Sequence, residues 1–299
     1  MLYVYRRASS TGARSLAEAL NGIRMRNTER LQARVRNGDR VVMWGEHIPT
    51  IAGVQFLNNV PLRNKFEDAT RLREAGVNTI EVSRTRPVQA PATPPPDPLV
   101  DLWEEGIELA DAFAGTEPAR TNVSKEGLQE LLVAIQAIQR AQNAAAPVAV
   151  AVPAANWVPR LFNHTGGADL LTPPATPEFF VKKEEFVNEY RVHSFLGKSL
   201  RAGKKAPRED FRNPHAWVRS WDGGWRIVYD GVTVKQRHRD IAHQAVAALG
   251  LQFGAVDIGE RRDNSLAVLE VNRAPGLEGG TVDAYVRAIQ QWTGQVVRA

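Results

Sequence analysis

The chain has 299 residues, 43% of them hydrophobic, which is enough to bury the core of one multi-lobed unit or of two domains. It contains no cysteine, which excludes disulfides, thiolate metal sites and a cysteine nucleophile, and its six histidines are not spaced as metal ligands. The formal charge of +5 favours anionic partners, which include nucleotide phosphates, acidic peptides and nucleic acid.

The first 60 residues have the pattern of an α/β lobe. Residues 2–5 and 40–45 are apolar enough to form short buried strands. Between them, Leu16, Leu20 and Ile23 repeat at the spacing of one helix face. These segments predict a β-α-β opening.

The next segment predicts a helix, a strand and then an insertion. The spacing of Phe66, Ala69, Leu72 and Arg73 indicates a short helix that ends at Gly76, followed by a strand at 79–82. A proline-rich linker then begins at residue 85 and leads into two amphipathic helical segments. We expect residues 86–150 to form a helical hairpin that interrupts the rest of the fold.

Patterns typical of β-structure dominate from Trp157 onward, and two helices accompany them. The predicted elements are a hairpin with a glycine turn within 215–229, a helix at 233–249 that ends at Gly250, strands at 253–258 and 266–272, and a last helix at 282–293.

Three oxygen-bearing side chains are predicted to meet on the pair of strands near the end of the chain. Glu270 and Asn272 are two residues apart in a strand, so both project from the same face. A hairpin centred between Asp263 and Asn264 would place Asp257 opposite Glu270. Two carboxylates and an amide suit Mg²⁺, which prefers oxygen ligands. Alternatively, the carboxylates are solvated strand residues and Asn272 caps a turn.

These residues also carry a resemblance to a known family. The segments FGAVDI and LEVNRAPGLEGGT resemble the carboxy-terminal signature of ATP-grasp enzymes, in which the matching Asp, Glu and Asn hold two magnesium ions on the ATP phosphates. The opening YRRASSTGARSLAEAL, the LNNVPLRNKFEDATRLREAGV segment, EYRVHSF and VRSWDGGW are similar to phage-encoded ATP-grasp proteins related to the ribosomal-protein glutamate ligases. The resemblance implies an α+β chain with the ATP-grasp fold: an N-terminal α/β lobe at 1–60, a small lobe at 61–190 that includes the helical insertion, and a C-terminal antiparallel-sheet lobe at 191–299.

The resemblance also implies which residues contact the phosphates of ATP. Lys65 and Arg160 would bind them from the small lobe, and Gly166 and Gly167 would belong to a glycine-rich loop that closes over them. Without the family context, Lys65 is as well explained as a solvated helix residue. The two glycines alone would fit an ordinary hairpin turn.

The segment VKKEEFVNEYRVH is implied to be the strand between the lobes that binds the nucleoside part of ATP. The resemblance also places Lys182 of this segment among the nucleotide-binding residues. By position the ribose partner is Glu189, with Glu184 or Glu185 as the alternatives. Alternatively, these charged residues belong to an edge strand, where charges prevent the strand from pairing with another chain.

Four cations from successive β-segments complete the implied site. Arg191, Lys204, Lys205 and Arg219 would stabilise negative charge on the transferring phosphoryl group and on an acyl phosphate. Arg219 matches an arginine that precedes a Gly-Trp turn in the family, and we prefer it as the transition-state cation. Some relatives have an arginine two residues before the metal-binding Asp, where this chain has Ala255.

The resulting expectation is an ATP-dependent ligase that uses magnesium, with two ions expected and Mn²⁺ as a possible substitute. It would join a carboxylate to an amine and release ADP and phosphate. The two substrates would be amino acids, peptides or a modified macromolecule. The alternative is a nucleic-acid-binding or DNA-modifying protein on the same scaffold, which basic runs such as KQRHRD favour. With no apolar run long enough to cross a membrane and no signal-peptide pattern, we expect a cytoplasmic protein, in the host cytoplasm if phage-encoded, with no membrane partner.

Overall fold

The computed structural model describes residues 1–87, 156–162 and 168–294. The chain divides into two compact units, one formed by residues 1–86 with 156–299 and the other by residues 87–155. Nearly all of the predicted insertion lies outside the described residues, and so do Gly166 and Gly167. None of the described helices is long and apolar enough to cross a membrane. The lobe boundaries near residues 60 and 190 stay predictions.

The first sheet is parallel and has the strand order β2-β1-β3-β4. Its elements, in chain order, are β1 (Leu2–Tyr5), α1 (Thr11–Ala19), β2 (Ile23–Met25), α2 (Thr28–Arg34), β3 (Arg40–Met43) and β4 (Gln55–Leu57). Leu16 of α1 packs on one face of the sheet and Leu31 of α2 packs on the other. The two helices therefore cover opposite faces of the sheet. Strand β2 lies on one side of β1, whereas β3 and β4 lie on the other side.

One sequence expectation for this sheet is wrong. Ile23 was predicted to continue the helix face of α1, but α1 ends at Ala19 and Ile23 pairs with Tyr3 as the first residue of β2. The physical reason lies in the intervening turn, where Asn21 has a positive φ of 49°, a conformation that a helix cannot continue through.

The second sheet has three antiparallel strands in the order β5-β7-β6, preceded by α3. Its elements are α3 (Lys65–Glu74), β5 (Val82–Ser83), β6 (Trp157–Arg160), the short helix α4 (Ala168–Leu171) and β7 (Phe179–Lys182). A reciprocal capping box between Asn64 and Glu67 begins α3, and the chain turns at Gly76 as predicted.

The strand predicted at 79–82 begins only at Val82. Thr79 forms a single bridge with Val268 and its hydroxyl donates to the Val268 carbonyl, while the Asn78 amide donates to the Leu266 carbonyl. These residues are therefore bound to the edge of another sheet and do not extend β5.

The third sheet is antiparallel and has the order β10-β9-β8-β11-β12. Its elements are β8 (Asn188–Phe195), β9 (Lys198–Pro207), β10 (Trp225–Val228), α5 (Gln236–Ala248), β11 (Phe253–Glu260) and β12 (Leu266–Asn272), followed by α6 (Gly280–Thr293). Helix α5 covers one face, where Ala242 and Val246 pack against Val192 and Val256. The opposite face carries mainly polar and charged side chains.

Two predictions in this part need correction. The hairpin expected within 215–229 is absent from the described structure: only Trp225–Val228 is a strand, and it pairs with β9. The preceding residues form a compact loop in which the Trp225 indole donates to the His215 carbonyl at 2.9 Å. Helix α6 begins at Gly280, not at 282, because the chain enters it through Gly279 at a φ of 48°.

Candidate active site

The register of the β11–β12 hairpin brings the predicted oxygen ligands together. Asp257 pairs with Glu270, as the sequence predicted, and Asn272 lies two residues further along the same face. A β-bulge between Asp257 and Ile258 shifts the register beyond this pair. Asn264, with a φ of 66°, turns the chain between the two strands.

A cavity of 870 Å³ opens over the charged face of the third sheet, a size typical of a small-molecule site. Residues of the second and third sheets contribute to its walls. Most of the residues selected from the sequence line it, namely Lys65, Arg160, Lys182, Glu184, Glu189, Arg191, Lys205, Arg219, Asp257, Glu270 and Asn272. The fold therefore gathers cations and carboxylates into one space.

Asp257 is the most strongly bound carboxylate of the cavity. Arg191 lies directly opposite it on β8 and donates from Nε at 2.6 Å and from Nη2 at 2.8 Å. The Lys205 ammonium is 3.7 Å from the same carboxylate. Burial alone would raise the pKa of Asp257, but the positive charges of Arg191 and Lys205 outweigh it and lower the pKa to about 2. Asp257 is therefore ionised at neutral pH.

Glu189 balances two of the cations. Its carboxylate accepts a hydrogen bond from Lys205 at 2.9 Å and lies 3.6 Å from Arg219. Arg219 also donates to the Phe186 carbonyl at 2.7 Å and lies over the Trp225 ring. Glu189 is 6% exposed, so its carboxylate is held inside this charge network.

The remaining cations of the cavity are also paired. Lys65, the first residue of α3, donates to Glu270 at 3.0 Å. Arg160 donates to Asp169 at 2.7 Å. The structure thus holds each of these side chains in a defined position at the cavity wall.

Residues 182 and 184, in and just after β7, complete this wall. Lys182 forms an ion pair with Glu81 at 3.0 Å, and both side chains are about half exposed. Glu184 accepts from Arg261 Nε at 2.7 Å, and its backbone carbonyl accepts from the Trp217 indole at 3.3 Å. The segment between the second and third sheets therefore combines charged side chains with an aromatic ring.

Two residues selected from the sequence lie away from the cavity. Lys204 and Lys205 are adjacent in β9, so their side chains point to opposite faces, and Lys204 lies over the Tyr190 ring on the face away from the cavity. Glu185 is exposed and does not line the cavity wall. Both stay predictions as site residues, although neither lines the cavity in this structure.

The donor set fits magnesium in its chemistry. Asp257, Glu270 and Asn272 supply carboxylate and amide oxygens, the ligands that Mg²⁺ prefers, on one face of the β11–β12 hairpin. Among the described residues no group of three or more His, Asp or Glu side chains is positioned to hold a metal ion. A metal here would therefore rely on two carboxylates, the amide and oxygens from a bound molecule.

Sequence reasoning missed a buried histidine that contacts Tyr229 of the cavity wall. His193 is fully buried, and its two ring nitrogens lie 3.2 Å from the Tyr285 hydroxyl and 2.9 Å from the Tyr229 hydroxyl. Burial, with the nearby Arg191 charge, lowers the pKa of His193 to about 3. The alternation of Glu189, Arg191 and His193 along β8 is the signal that would have found it.

Comparison with known proteins shows the fold. No protein-family profile matches the chain, and no curated protein sequence matches it. The solved ATP-grasp ligase PsnB, complexed with a minimal precursor, Mg and ADP, is 14% identical over 98% of each chain with a TM-score of 0.50. D-alanine–D-alanine ligase from Bacillus anthracis is 12% identical over 98% of each chain with a TM-score of 0.48. D-cycloserine synthetase DcsG is 16% identical over 98% of this chain and 99% of its own, with a TM-score of 0.45. The chain thus has the ATP-grasp fold of the α+β class.

Proposed function

We propose that the chain is an ATP- and Mg²⁺-dependent ligase that joins a carboxylate to an amine through an acyl phosphate. One observation carries the proposal: the cavity gathers Asp257, Glu270 and Asn272 opposite several cations, within the ATP-grasp fold. The solved PsnB complex contains Mg and ADP, which agrees with a nucleotide and metal site in such a cavity.

Asp257, Glu270 and Asn272 would hold magnesium at the phosphate end of ATP. When bound, the metal neutralises phosphate charge and orients the terminal phosphate for transfer. Arg191 and Lys65 are hydrogen-bonded to the two carboxylates, so they are close enough to contact phosphate oxygens held at the same point. Arg160 and the loop with Gly166 and Gly167 are proposed as further phosphate contacts.

The nucleoside end of ATP would lie along the segment that follows β7. Glu189 is engaged by Lys205 and Arg219, which leaves it poorly suited to the ribose hydroxyls. Glu184 is bound by Arg261 as well, but its side chain is more exposed than that of Glu189, 17% against 8%, so we propose it as the ribose partner, with Lys182 beside it at the cavity wall. Trp217, which donates to the Glu184 carbonyl, adds apolar surface for the base.

The reaction has two steps. An oxygen of the substrate carboxylate attacks the terminal phosphorus of ATP, and the bond from that phosphorus to the bridging oxygen breaks to release ADP. The amine nitrogen then attacks the acyl carbon, loses a proton and displaces phosphate. Arg219 and Lys205 would stabilise the charge that develops on the phosphoryl group. The loop with Gly276 and Glu278 lines the same cavity, which supports placing the amine there.

The nucleic-acid alternative has weaker support. The basic runs that favour it belong to separate elements, since RVRNGDR joins α2 to β3, LRAGKKAPREDFR contains most of β9, and KQRHRD begins α5. In the last run, Arg237 is paired with Glu260 at 2.5 Å. A nucleic-acid surface would need such cations on one continuous face.

Hydroxylamine trapping tests the proposal. The purified protein is incubated with Mg-ATP, hydroxylamine and a panel of amino acids and short peptides, and hydroxamate is measured. We expect hydroxamate with the correct carboxylate, because hydroxylamine intercepts an acyl phosphate. Tight binding of duplex DNA by a protein that neither binds nor hydrolyses Mg-ATP would favour the alternative.

A further inference from the structure

The loop that carries Arg219 has no regular secondary structure of its own. Residues 208–224 connect β9 to β10 and contain neither a helix nor a strand. Trp217, Arg219 and Trp221 of this loop line the active-site cavity. Because a loop lacks the hydrogen-bond ladder of a sheet, other groups must bind its backbone if its side chains are to keep fixed positions.

His215 makes four hydrogen bonds that close this loop. Its ring Nδ1 accepts from the backbone N–H of Val218 at 2.8 Å and from that of Trp217 at 3.2 Å. Its own backbone N–H donates to the Gly223 carbonyl at 2.8 Å, and its carbonyl accepts from the Trp225 indole at 2.9 Å. A backbone N–H can only donate, so Nδ1 carries the lone pair and Nε2 carries the proton.

The segment that His215 closes is tightly packed. A Cβ atom on Gly223 would lie 2.1 Å from the Val218 carbonyl oxygen, so the two sides of the turn approach closely. The Ser220 carbonyl accepts from the Trp225 backbone N–H at 2.9 Å, and the Ser220 hydroxyl accepts from the Gly223 N–H at 3.1 Å. The segment therefore forms a compact turn in which Val218 is buried.

The backbone that His215 holds directly precedes Arg219. The guanidinium of Arg219 donates to the Phe186 carbonyl at 2.7 Å. The Trp217 indole donates to the Glu184 carbonyl at 3.3 Å. Both contacts cross from the loop to the segment that leads into β8, so their geometry depends on where the held backbone lies.

The ring of His215 does not itself reach the cavity. It is exposed, and it lies outside the cavity wall formed by the described residues. It therefore acts on the site only through the residues that it holds. Because the ring is exposed, replacing it leaves no buried cavity, so variants at this position should keep the fold of the third sheet.

We propose that His215 is a positioning residue of the ligase: the acceptor at its Nδ1 fixes the backbone before Arg219, and with it the place from which the guanidinium stabilises the transferring phosphoryl group. The role of Arg219 in this inference rests on the proposed function. Only the acceptor of the ring is needed for this task. An Asn side chain, whose oxygen is as many bonds from the backbone as Nδ1, can therefore replace it.

Matched substitutions separate this acceptor from the bulk of the side chain. Asn and Leu have nearly the same shape, but only Asn has an acceptor oxygen. In His215→Asn the amides of Trp217 and Val218 should exchange with solvent at nearly the wild-type rate. In His215→Leu they should exchange about tenfold faster or more, because two hydrogen bonds are lost. Hydrogen exchange of the full chain measures this without any substrate.

Turnover in the same variants tests the effect on Arg219. ADP release is measured with Mg-ATP, hydroxylamine and the panel of amino acids and short peptides. We expect kcat to fall about tenfold or more in His215→Leu, with the KM for Mg-ATP close to wild type, because Arg219 is proposed to act in the transition state. His215→Asn should keep most of the wild-type kcat. The control His243→Leu removes a histidine of α5 that is bonded to Ser199 outside the active-site cavity, and it should leave kcat unchanged.

Two results would overturn the proposal. One is equal amide exchange in the Asn and Leu variants, and the other is equal kcat in these variants, whether both values are high or both are low. If the wild-type chain releases no ADP in response to any carboxylate of the panel, the ligase function is contradicted instead. The exchange rates alone then decide whether His215 holds the loop.

Discussion

Arg191 and Asp257 face each other on adjacent antiparallel strands, and the guanidinium donates two hydrogen bonds, of 2.6 and 2.8 Å, to the carboxylate. Both lie at the centre of the cavity-facing side of the third sheet. The pair keeps Asp257 ionised in a buried position, which a metal-binding carboxylate requires. It also keeps a cation beside the point where phosphate charge would be transferred.

Replacing Arg191 with Met should destabilise the fold and abolish ATP turnover. The change leaves the buried Asp257 carboxylate with only Lys205 nearby, and removing one partner of a buried pair typically costs about 3 kcal/mol or more. Urea denaturation measures the free energy of unfolding. The double variant Arg191→Met/Asp257→Asn should recover stability without recovering turnover. If the single variant unfolds at the same urea concentration as the wild type, the pair is not buried as described.

Variants of Lys204 and Lys205 test whether these neighbouring side chains of β9 lie on opposite faces of the sheet. Lys205→Met removes a cation that contacts Glu189 and lies 3.7 Å from Asp257, so turnover should fall by about a hundredfold or more, as for the loss of a group that stabilises transition-state charge. Lys204→Met removes a cation from the opposite face and should leave turnover close to wild type. Comparable loss in both variants would contradict the assignment of faces.

The buried His193 predicts a pH dependence of stability. Its pKa is lowered to about 3 in the folded chain from 6.5, so below pH 6.5 the unfolded chain takes up a proton that the folded chain does not. The free energy of unfolding should therefore fall with decreasing pH, by at most about 1.4 kcal/mol per unit from this group. His193→Gln should have a shallower slope between pH 7.5 and 5, measured by denaturation. His238, also buried, is present in both proteins and cancels in the comparison. An unchanged slope in the variant would show that His193 is not held neutral.

The segment from residue 87 to 155 should be dispensable for nucleotide binding. Strands β5 and β6, which flank the segment, pair with opposite edges of β7, so these two strands are about 10 Å apart across β7. A Gly/Ser linker of about eight residues spans this distance without strain. We expect the shortened protein to fold and to bind Mg-ATP with wild-type affinity, measured by calorimetry. Loss of that affinity in a folded protein would mean that the segment belongs to the nucleotide site.

The part of the site that could be predicted from sequence is the part determined by local periodicity. Asp257, Glu270 and Asn272 share a face because side chains alternate along a strand and the turn chemistry near Asn264 sets the register. Helices α3 and α5 could be predicted in the same way, because an apolar face and a terminal glycine are local signals.

The rest depends on contacts between distant segments. The pairing of Glu189 with Lys205 and Arg219 follows from which strands are neighbours in the third sheet, and no local pattern contains that information. The short extent of β5 depends on Thr79 bonding to Val268 in another sheet. The burial of His193 between two tyrosines requires β8, the chain after β10, and α6 to meet.

The identity of the nucleotide product distinguishes activation through an acyl phosphate from activation through an adenylate. The wild-type protein is incubated with Mg-ATP, with and without the panel of amino acids and short peptides, and the nucleotides are separated by chromatography. We predict substrate-dependent release of ADP and phosphate, which should be lost in Glu270→Gln, a variant without a proposed metal ligand. It should be retained in Glu18→Gln, which changes an exposed helix residue. Substrate-dependent AMP and pyrophosphate without ADP would contradict the acyl-phosphate mechanism, even if an amide were formed.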